Sequence, residues 1–434
     1  MVILGEGVLA LARLRDLRSR CAQSDLAVRR VRKLIETEGL LECWMDRTHA
    51  TDRETSRLLT VLTQVLANSV TRANDEFASL VWPTIQSAEF VSLCERGHTA
   101  PRLLIALAVL VYNSIRQSAA RSVDFADFGG RVLHCLLLRL HEAFDDERDE
   151  QELLEWTHRI VRHVCCDTTN TEEESSEGTL SRVFCGMPPC VDIDRVDVYQ
   201  SLGSFMTVPR LSLLQLVERV ARDEKINKSN LVFCVDVLRL LDLQQVATAD
   251  EDKHMMLEAL FASLNTLADC TSHQDNSEYL LAHAPHLCAS VGDLTRQVAA
   301  LDSVPEPSLG ASNGPKSNEV RNSPPGLRTL CVRILANLTF CEAAEEAFLH
   351  TPRLLETVLE QGRMDAHNFT CREWAMLAVR NLTFRSAAIR QRLSDLQIIP
   401  GSVANEDELR EMGLQARVDE NGRVRVSRVP PEST

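Results

Sequence analysis

Apolar residues recur along most of the chain at the spacing of amphipathic helices. Near the N-terminus Leu11, Leu14, Leu17 and Cys21 are separated by three or four residues, which places them on one helix face. Pro101 precedes another apolar run, Arg-Leu-Leu-Ile, at the position where proline starts a helix without losing a needed N–H donor. The pattern predicts an all-α protein.

One helical pattern returns at a fixed period. The same four residues, Asn-Leu-Thr-Phe, stand at 337–340 and at 381–384, 44 positions apart. A related frame places Asn68 and Asn113 45 positions apart, and Asp269 occupies that frame in the middle of the chain. A period of roughly 40–47 residues is typical of armadillo and HEAT repeats. We therefore expect an armadillo/HEAT-like α-solenoid, in which each repeat packs on its neighbours.

The pattern changes near the C-terminus, where polar and apolar residues alternate. Alternation occupies 415–418 and 423–426, and Asn421-Gly422 stands between the two stretches. Alternating residues around Asn-Gly are the strongest short signal for a β-hairpin. A small C-terminal β-hairpin is therefore predicted to follow the helices.

Shifts in composition divide the chain into segments. The stretch 302–326 contains five prolines with Gly, Ser and Asn, which predicts a disordered linker. The predicted segments are N-terminal capping helices (1–50), armadillo-like repeats (51–142), an irregular acidic and loop-rich segment (143–194), armadillo-like helices (195–301), the linker (302–326) and a C-terminal domain with two repeats and the hairpin (327–434).

The asparagines of the repeat frame need an explanation, because asparagine is a poor residue in a helix interior. Their amides can brace the adjacent repeat, which is the explanation that we favour. Alternatively, a ladder of amides along a groove can bind the backbone of an extended peptide. The candidate binding residues of that inner-helix ladder are Asn68, Asn113, Asp269, Asn337, Arg380 and Asn381.

Charge and cysteine usage limit the functional classes. The formal net charge of −15 argues against general binding of nucleic acid and mildly favours a basic partner. The 14 cysteines are scattered singly, which indicates buried thiols in a reducing compartment. No apolar stretch approaches the length of a membrane span. We expect a cytoplasmic protein without membrane insertion.

One group of residues has the chemistry of a metal site. Imidazole and thiolate groups suit zinc, but this group lacks a Cys-x-x-Cys pair and its two histidines are five residues apart, off one helical face. The group consists of His158, His163, Cys165, Cys166, Cys185 and Cys190. A solenoid with a small zinc-binding or catalytic insertion around 158–190 is therefore the alternative prediction. The leading prediction is a protein without enzymatic activity, cofactor or metal.

The last hundred residues carry two motifs. Arg-Glu-Trp-Ala at 372–375 leads into Arg-Asn-Leu-Thr at 380–383, and Glu-Leu-Arg-Glu-Met-Gly-Leu at 408–414 precedes the hairpin. Together they resemble the C-terminal domain of the ataxin-10 family, over about 327–426. The chain departs from the family at 386–390, where Ser-Ala-Ala-Ile-Arg replaces a helix start that bears Asn and Gln. The resemblance implies an armadillo-like cytosolic adaptor without catalytic activity, in a family associated with cytokinesis and cell survival.

The predicted function is accordingly a non-enzymatic scaffold or adaptor that binds other proteins along a helical surface. The sequence identifies neither the partner nor the oligomeric state, so a homo-oligomer is left open.

Overall fold

The structure is a computed structural model, and most of the residues that it describes are helical. It describes residues 7–46, 53–73, 75–97, 100–166, 178–188, 206–240, 253–272, 284–302, 325–362, 368–396, 414–418 and 424–428. The chain divides into two units, the first formed by 1–241 and 245–266, the second by 242–244 and 267–434. No helix among the described residues combines the length and apolar character needed to cross a bilayer.

In the first unit, successive long helices pack on one another in chain order. The helices are α1 (Gly7–Cys21), α2 (Asp25–Glu38), α3 (Leu40–Asp46), α4 (Arg53–Ala73), α5 (Asp75–Ile85), α6 (Ala88–Gly97), α7 (Pro101–Ile115), α8 (Ala119–Leu140), α9 (Glu147–Cys166), α10 (Thr179–Cys185), α11 (Val208–Asp223) and α12 (Lys228–Leu240). One row runs α1, α4, α7, α9, α11, and a second runs α6, α8, α10, α12. The core lies between the two rows.

Helix α4 shows why these segments become helices. Leu58, Leu62, Val65, Leu66 and Val70 are buried and recur every three or four residues, so they form one apolar stripe. Packing such a stripe against neighbouring helices contributes more to the stability of a helix in a protein than its intrinsic propensity does. Helix α4 packs on α1 and on α7.

Two parts of the segment 143–194, which was predicted as irregular and loop-rich, are helical, whereas 167–177 and 189–194 lie outside the described residues. Its residues 147–166 form the 20-residue helix α9, which packs on α7 and α11. The acidic residues Glu147, Asp149 and Glu150 occupy its first turn, where negative charge stabilises the helix N-terminus. Thr157 is buried and stands 44 positions after Asn113, so α9 continues the repeat order.

The second unit begins within α13 (Lys253–Ser272), which has residues in both units. Its other helices are α14 (Ala284–Asp302), α15 (Leu327–Leu338), α16 (Glu342–His350), α17 (Leu354–Glu360), α18 (Phe369–Arg385) and α19 (Ala387–Asp395). Helix α14 packs on α15, α16 and α17, and α15 packs on α18. Cys331, Ile334 and Leu335 of α15 are fully buried.

Two strands follow the helices of the second unit. β1 (Leu414–Val418) and β2 (Val424–Arg428) pair antiparallel, with Leu414 opposite Arg428 and Val418 opposite Val424. The predicted Asn421-Gly422 turn between them lies outside the described residues, as does nearly all of the predicted linker at 302–326.

Candidate protein-binding surface

The asparagines of the second unit donate their amides to the preceding helix of the repeat. Asn381 Nδ2 lies 3.1 Å from Oγ1 of Thr339. Asn337 Nδ2 lies 3.1 Å from Oγ1 of Thr271 and 3.2 Å from the carbonyl oxygen of Ala268. Each accepting threonine stands two residues after its own frame position. An Asn-x-Thr sequence therefore supplies a donor to the helix before it and an acceptor to the helix after it.

The same contact occurs in the first unit. Asn113 Nδ2 lies 2.7 Å from Oγ1 of Thr71, and Asn68 Nδ2 lies 3.2 Å from the carbonyl oxygen of Arg18. In α9 the frame position is Thr157, whose hydroxyl donates to the Leu153 carbonyl within its own helix. These amide N–H groups thus hold helix against helix. Whether the ladder also binds a peptide stays a prediction.

Two charged candidates have different surroundings. Asp269 is mostly buried, and its Oδ1 accepts a hydrogen bond from Nη2 of Arg333 at 2.9 Å. The Arg333 guanidinium lies over the Trp374 ring, 5.9 Å from its centroid. Asp269 therefore forms an ion pair with α15, the helix of the next repeat. Arg380, by contrast, is exposed and lines a groove on α17 and α18.

The fourth residue of the Asn-Leu-Thr-Phe motif is exposed in both copies. Phe340 is 60% exposed and Phe384 is 87% exposed, at the ends of α15 and α18. The Arg385 guanidinium donates to the Phe340 carbonyl, so the two helix ends lie side by side. The sequence analysis missed these phenylalanines as surface residues. The sequence did contain a signal for their exposure: in both copies of the motif the phenylalanine falls outside the apolar stripe of its helix.

An apolar groove lies near this end of α18. Its volume is about 390 Å³, and Met376 on its wall is 58% exposed. The groove is also lined by Val358, Leu359, Gly362, Ala375, Val379, Arg380 and Thr383. A groove with an apolar lining and one exposed cation can accept an apolar side chain and a neighbouring carboxylate.

Helices α18 and α19 are basic, although the whole chain is acidic. Helices α18 and α19 contain five arginines against two carboxylates, Glu373 and Asp395. Arg390 and Arg392 are partly engaged, donating respectively to the Thr383 carbonyl at 2.5 Å and to Glu356 at 3.0 Å. Met376, Arg380 and Phe384 are exposed and stand four positions apart on α18, and Phe340 lies at the neighbouring end of α15; these four residues are named the C-terminal surface.

The predicted zinc group has other contacts. His163 Nε2 lies 2.8 Å from Oγ of Ser122. Burial raises the pKa of the Cys166 thiol to about 11. Burial, followed by the charge of Arg219, lowers the pKa of His158. Within the described residues, which exclude Cys190, no three His, Cys, Asp or Glu side chains are placed to hold a metal ion.

The fold and this surface define a helical protein with a sequence repeat of about 44 residues and an exposed apolar C-terminal surface. Residues 327–427 match the family model described as the spinocerebellar ataxia type 10 protein domain. The resemblance to the ataxin-10 family predicted from the sequence is thereby confirmed, and this C-terminal part is an ataxin-10-type domain.

A curated relative supports the same assignment. An ataxin-10 homolog from Dictyostelium discoideum is 28% identical over 114 residues, which are 26% of this chain and 18% of that protein. The chain thus matches about a fifth of the relative's length. A crystal structure of an engineered protein aligns over 88% of this chain and 93% of its own, with 11% identity and a TM-score of 0.24, too low to support an argument about fold.

Proposed function

We propose that this chain is an armadillo-like solenoid that serves as a non-enzymatic scaffold in the cytoplasm and binds partner proteins through the C-terminal surface. The observation that carries the proposal is the exposure of Phe340 and Phe384, at 60% and 87%, in two successive copies of one motif. Large apolar side chains grouped on a surface are characteristic of protein-binding sites. The family resemblance extends the proposal to a role in cytokinesis or cell survival.

The packing order supports the solenoid part of the proposal. Long helices follow one another in chain order within the first unit, and in each unit amides at the repeat positions connect neighbouring helices. Nearest-neighbour packing of this kind is what defines a solenoid, and its extended surface is what scaffolds use.

The C-terminal surface suggests how a partner is recognised. Phe384 and Met376 offer apolar area, and Arg380 offers an exposed positive charge. Aromatic, methionine and arginine side chains are the types enriched at the centres of protein interfaces. Another protein is the proposed partner, and a second copy of this chain is one such partner. Light scattering at several concentrations measures self-association directly.

Point substitutions test the surface better than a deletion does. Removing 327–434 also removes α15, on which α14 packs. Such a deletion therefore exposes core residues, and the new apolar surface can bind proteins non-specifically. The double variant Phe340→Ser/Phe384→Ser changes only exposed side chains. Leu138→Ser in α8 is the matched control, because Leu138 is also exposed, at 37%, and lies in the first unit.

The experiment is quantitative affinity capture from cell lysate with the intact chain, the double variant and the control. We expect a defined set of proteins with the intact chain and with Leu138→Ser, and its loss with Phe340→Ser/Phe384→Ser at an unchanged melting temperature. Equal capture by all three proteins would exclude the C-terminal surface as the binding site.

A further inference from the structure

Helices α1 and α2 form a cleft, and none of the repeat-frame residues lines it. Each helix presents one stripe to it at positions i, i+3, i+4 and i+7, and the cleft has a volume of about 760 Å³. The stripe of α1 consists of Arg13, Asp16, Leu17 and Arg20, and that of α2 of Leu26, Arg29, Arg30 and Lys33. This volume accommodates several side chains of a peptide segment.

The cleft is strongly basic in a chain of net charge −15. Asp16, the one carboxylate among the described residues that line the cleft, forms an ion pair with Arg20 at 3.0 Å. Arg29, Arg30 and Lys33 are exposed and form no ion pair with any residue that the structure describes. Arg29 and Lys33 are also an i, i+4 pair of like charge, which destabilises a helix. An anionic ligand would relieve this repulsion.

The cleft also has apolar surface. Leu17 and Ala27 are buried along it, and Leu26 is 76% exposed at its edge. A ligand that matches the cleft therefore combines negative charges with at least one apolar group. An amphipathic acidic peptide segment has both, and a helix can lie against two neighbouring helices with its side chains between theirs.

We infer that the α1–α2 cleft binds an acidic, amphipathic segment of a partner protein. The inference rests on the proposed scaffold function and adds a second, electrostatically distinct site to it. Nucleic acid fits less well, because no described residue that lines the cleft has an aromatic side chain for base stacking. An anionic membrane fits less well because the cations line a concave cleft, in which Leu26 is the only exposed leucine that the structure describes.

A binding assay with a defined probe tests the inference on the full chain. The probe is a fluorescein-labelled peptide of Glu, Leu and Ala with glutamates at i, i+3, i+4 and i+7, compared with a twin in which glutamine replaces every glutamate. The cleft variant is Arg29→Glu/Lys33→Glu. The control, Arg57→Glu/Arg148→Glu, changes the net charge equally at exposed positions of the same unit that lie outside the cleft.

We expect fluorescence anisotropy to show binding of the glutamate peptide and not of its twin. The cleft variant should weaken binding by about tenfold or more, since two attractions become repulsions, whereas the control should retain it. The affinity should also fall as salt is added, because these charges are exposed. Melting curves check that both variants fold.

Other outcomes overturn the inference. Equal weakening in both variants would show a general charge effect, and binding of neither peptide would leave the cleft without this ligand. Tighter binding of phosphatidylserine vesicles or of a single-stranded oligonucleotide than of the peptide would assign the cleft to another class. The two proposals also fail separately: loss of lysate capture through Phe340 and Phe384 does not affect peptide binding at α1–α2, and the reverse also holds.

Discussion

Asn381 donates its side-chain amide to the hydroxyl of Thr339, 42 residues earlier in the chain, at 3.1 Å. Asn113 donates in the same way to Thr71, also 42 residues earlier, at 2.7 Å. The separation of donor and acceptor along the chain is thus the same in both units, and in each unit the contact joins neighbouring helices. The acceptor stands two residues after the frame asparagine in the second unit (Asn337 and Thr339) and three residues after it in the first (Asn68 and Thr71).

Loss of this hydrogen bond should destabilise the chain more when the asparagine is more deeply buried. Asn113 is only 5% exposed, so Asn113→Ala should lower the free energy of unfolding by about 1–3 kcal/mol. Asn381 is half-buried, and water can replace part of its contact, so Asn381→Ala should cost less. Urea unfolding followed by circular dichroism measures both. A larger loss for Asn381→Ala than for Asn113→Ala would contradict the argument.

Glycine 130 should be intolerant of a methyl group, because α8 and α10 approach each other there. A Cβ at Gly130 would lie 2.3 Å from the carbonyl oxygen of Val183 and 2.8 Å from Cα of Gly186. Replacing a helical glycine by alanine ordinarily stabilises by about 0.5–1 kcal/mol, so a loss of about 1–3 kcal/mol in Gly130→Ala would have the opposite sign.

The partner glycine provides the comparison for this test. A Cβ at Gly186 would lie 3.3 Å from the Arg182 carbonyl oxygen and 3.6 Å from Cα of Gly130, which is nearly ordinary contact. Gly186→Ala should therefore change the melting temperature much less than Gly130→Ala. A neutral Gly130→Ala would mean that α8 and α10 can separate at no cost.

Two half-buried histidines should make stability fall in mild acid. Burial is the main cause of the lowered pKa of both His134 and His158, and the charges of Arg210 and Arg219 respectively add to it. Because their folded-state pKa values lie below the ordinary 6.5, the unfolded chain binds protons first as the pH falls. The contribution of the two neutral histidines to the free energy of unfolding is therefore complete above pH 6.5 and is lost as the pH falls below it.

The double variant His134→Gln/His158→Gln tests this linkage. The fall in unfolding free energy between pH 7 and pH 5 should be smaller than in the unmodified chain. His254→Gln is the control for replacing an imidazole at the surface, since the His254 side chain is 85% exposed. An identical slope in all three proteins would show that other groups cause the acid dependence.

The buried thiols should react slowly in the folded chain. Burial raises the pKa of Cys135, Cys234 and Cys331 to about 12, so little thiolate is present at pH 8. With Ellman's reagent, all 14 cysteines should react after unfolding in guanidinium, whereas these three should be protected beforehand. Mass spectrometry locates the modified residues. Rapid labelling of Cys331 in the folded chain would contradict its burial.

The repeat was visible in the sequence because it depends on local periodicity. The Asn-Leu-Thr-Phe copies and the related frame at Asn68 and Asn113 marked helices that the structure contains. Thr157 was not assigned to the frame from the sequence, because threonine stands there in place of asparagine. Asn230 also escaped notice, although its amide donates to the Val164 and Cys165 carbonyls and accepts from the Leu180 N–H. It lies outside the repeat frame.

By itself, the sequence determined the helical character, the 44-residue period and the ataxin-10-type C-terminal domain. These depend on residues close together in the chain, since a helix is built from contacts over three or four positions. Only the tertiary structure decided that Asn381 meets Thr339, that Phe384 faces solvent and that the stripes of α1 and α2 enclose one basic cleft. The physical reason is that packing between helices, and not local propensity, determines which polar atoms find partners and which apolar faces stay uncovered.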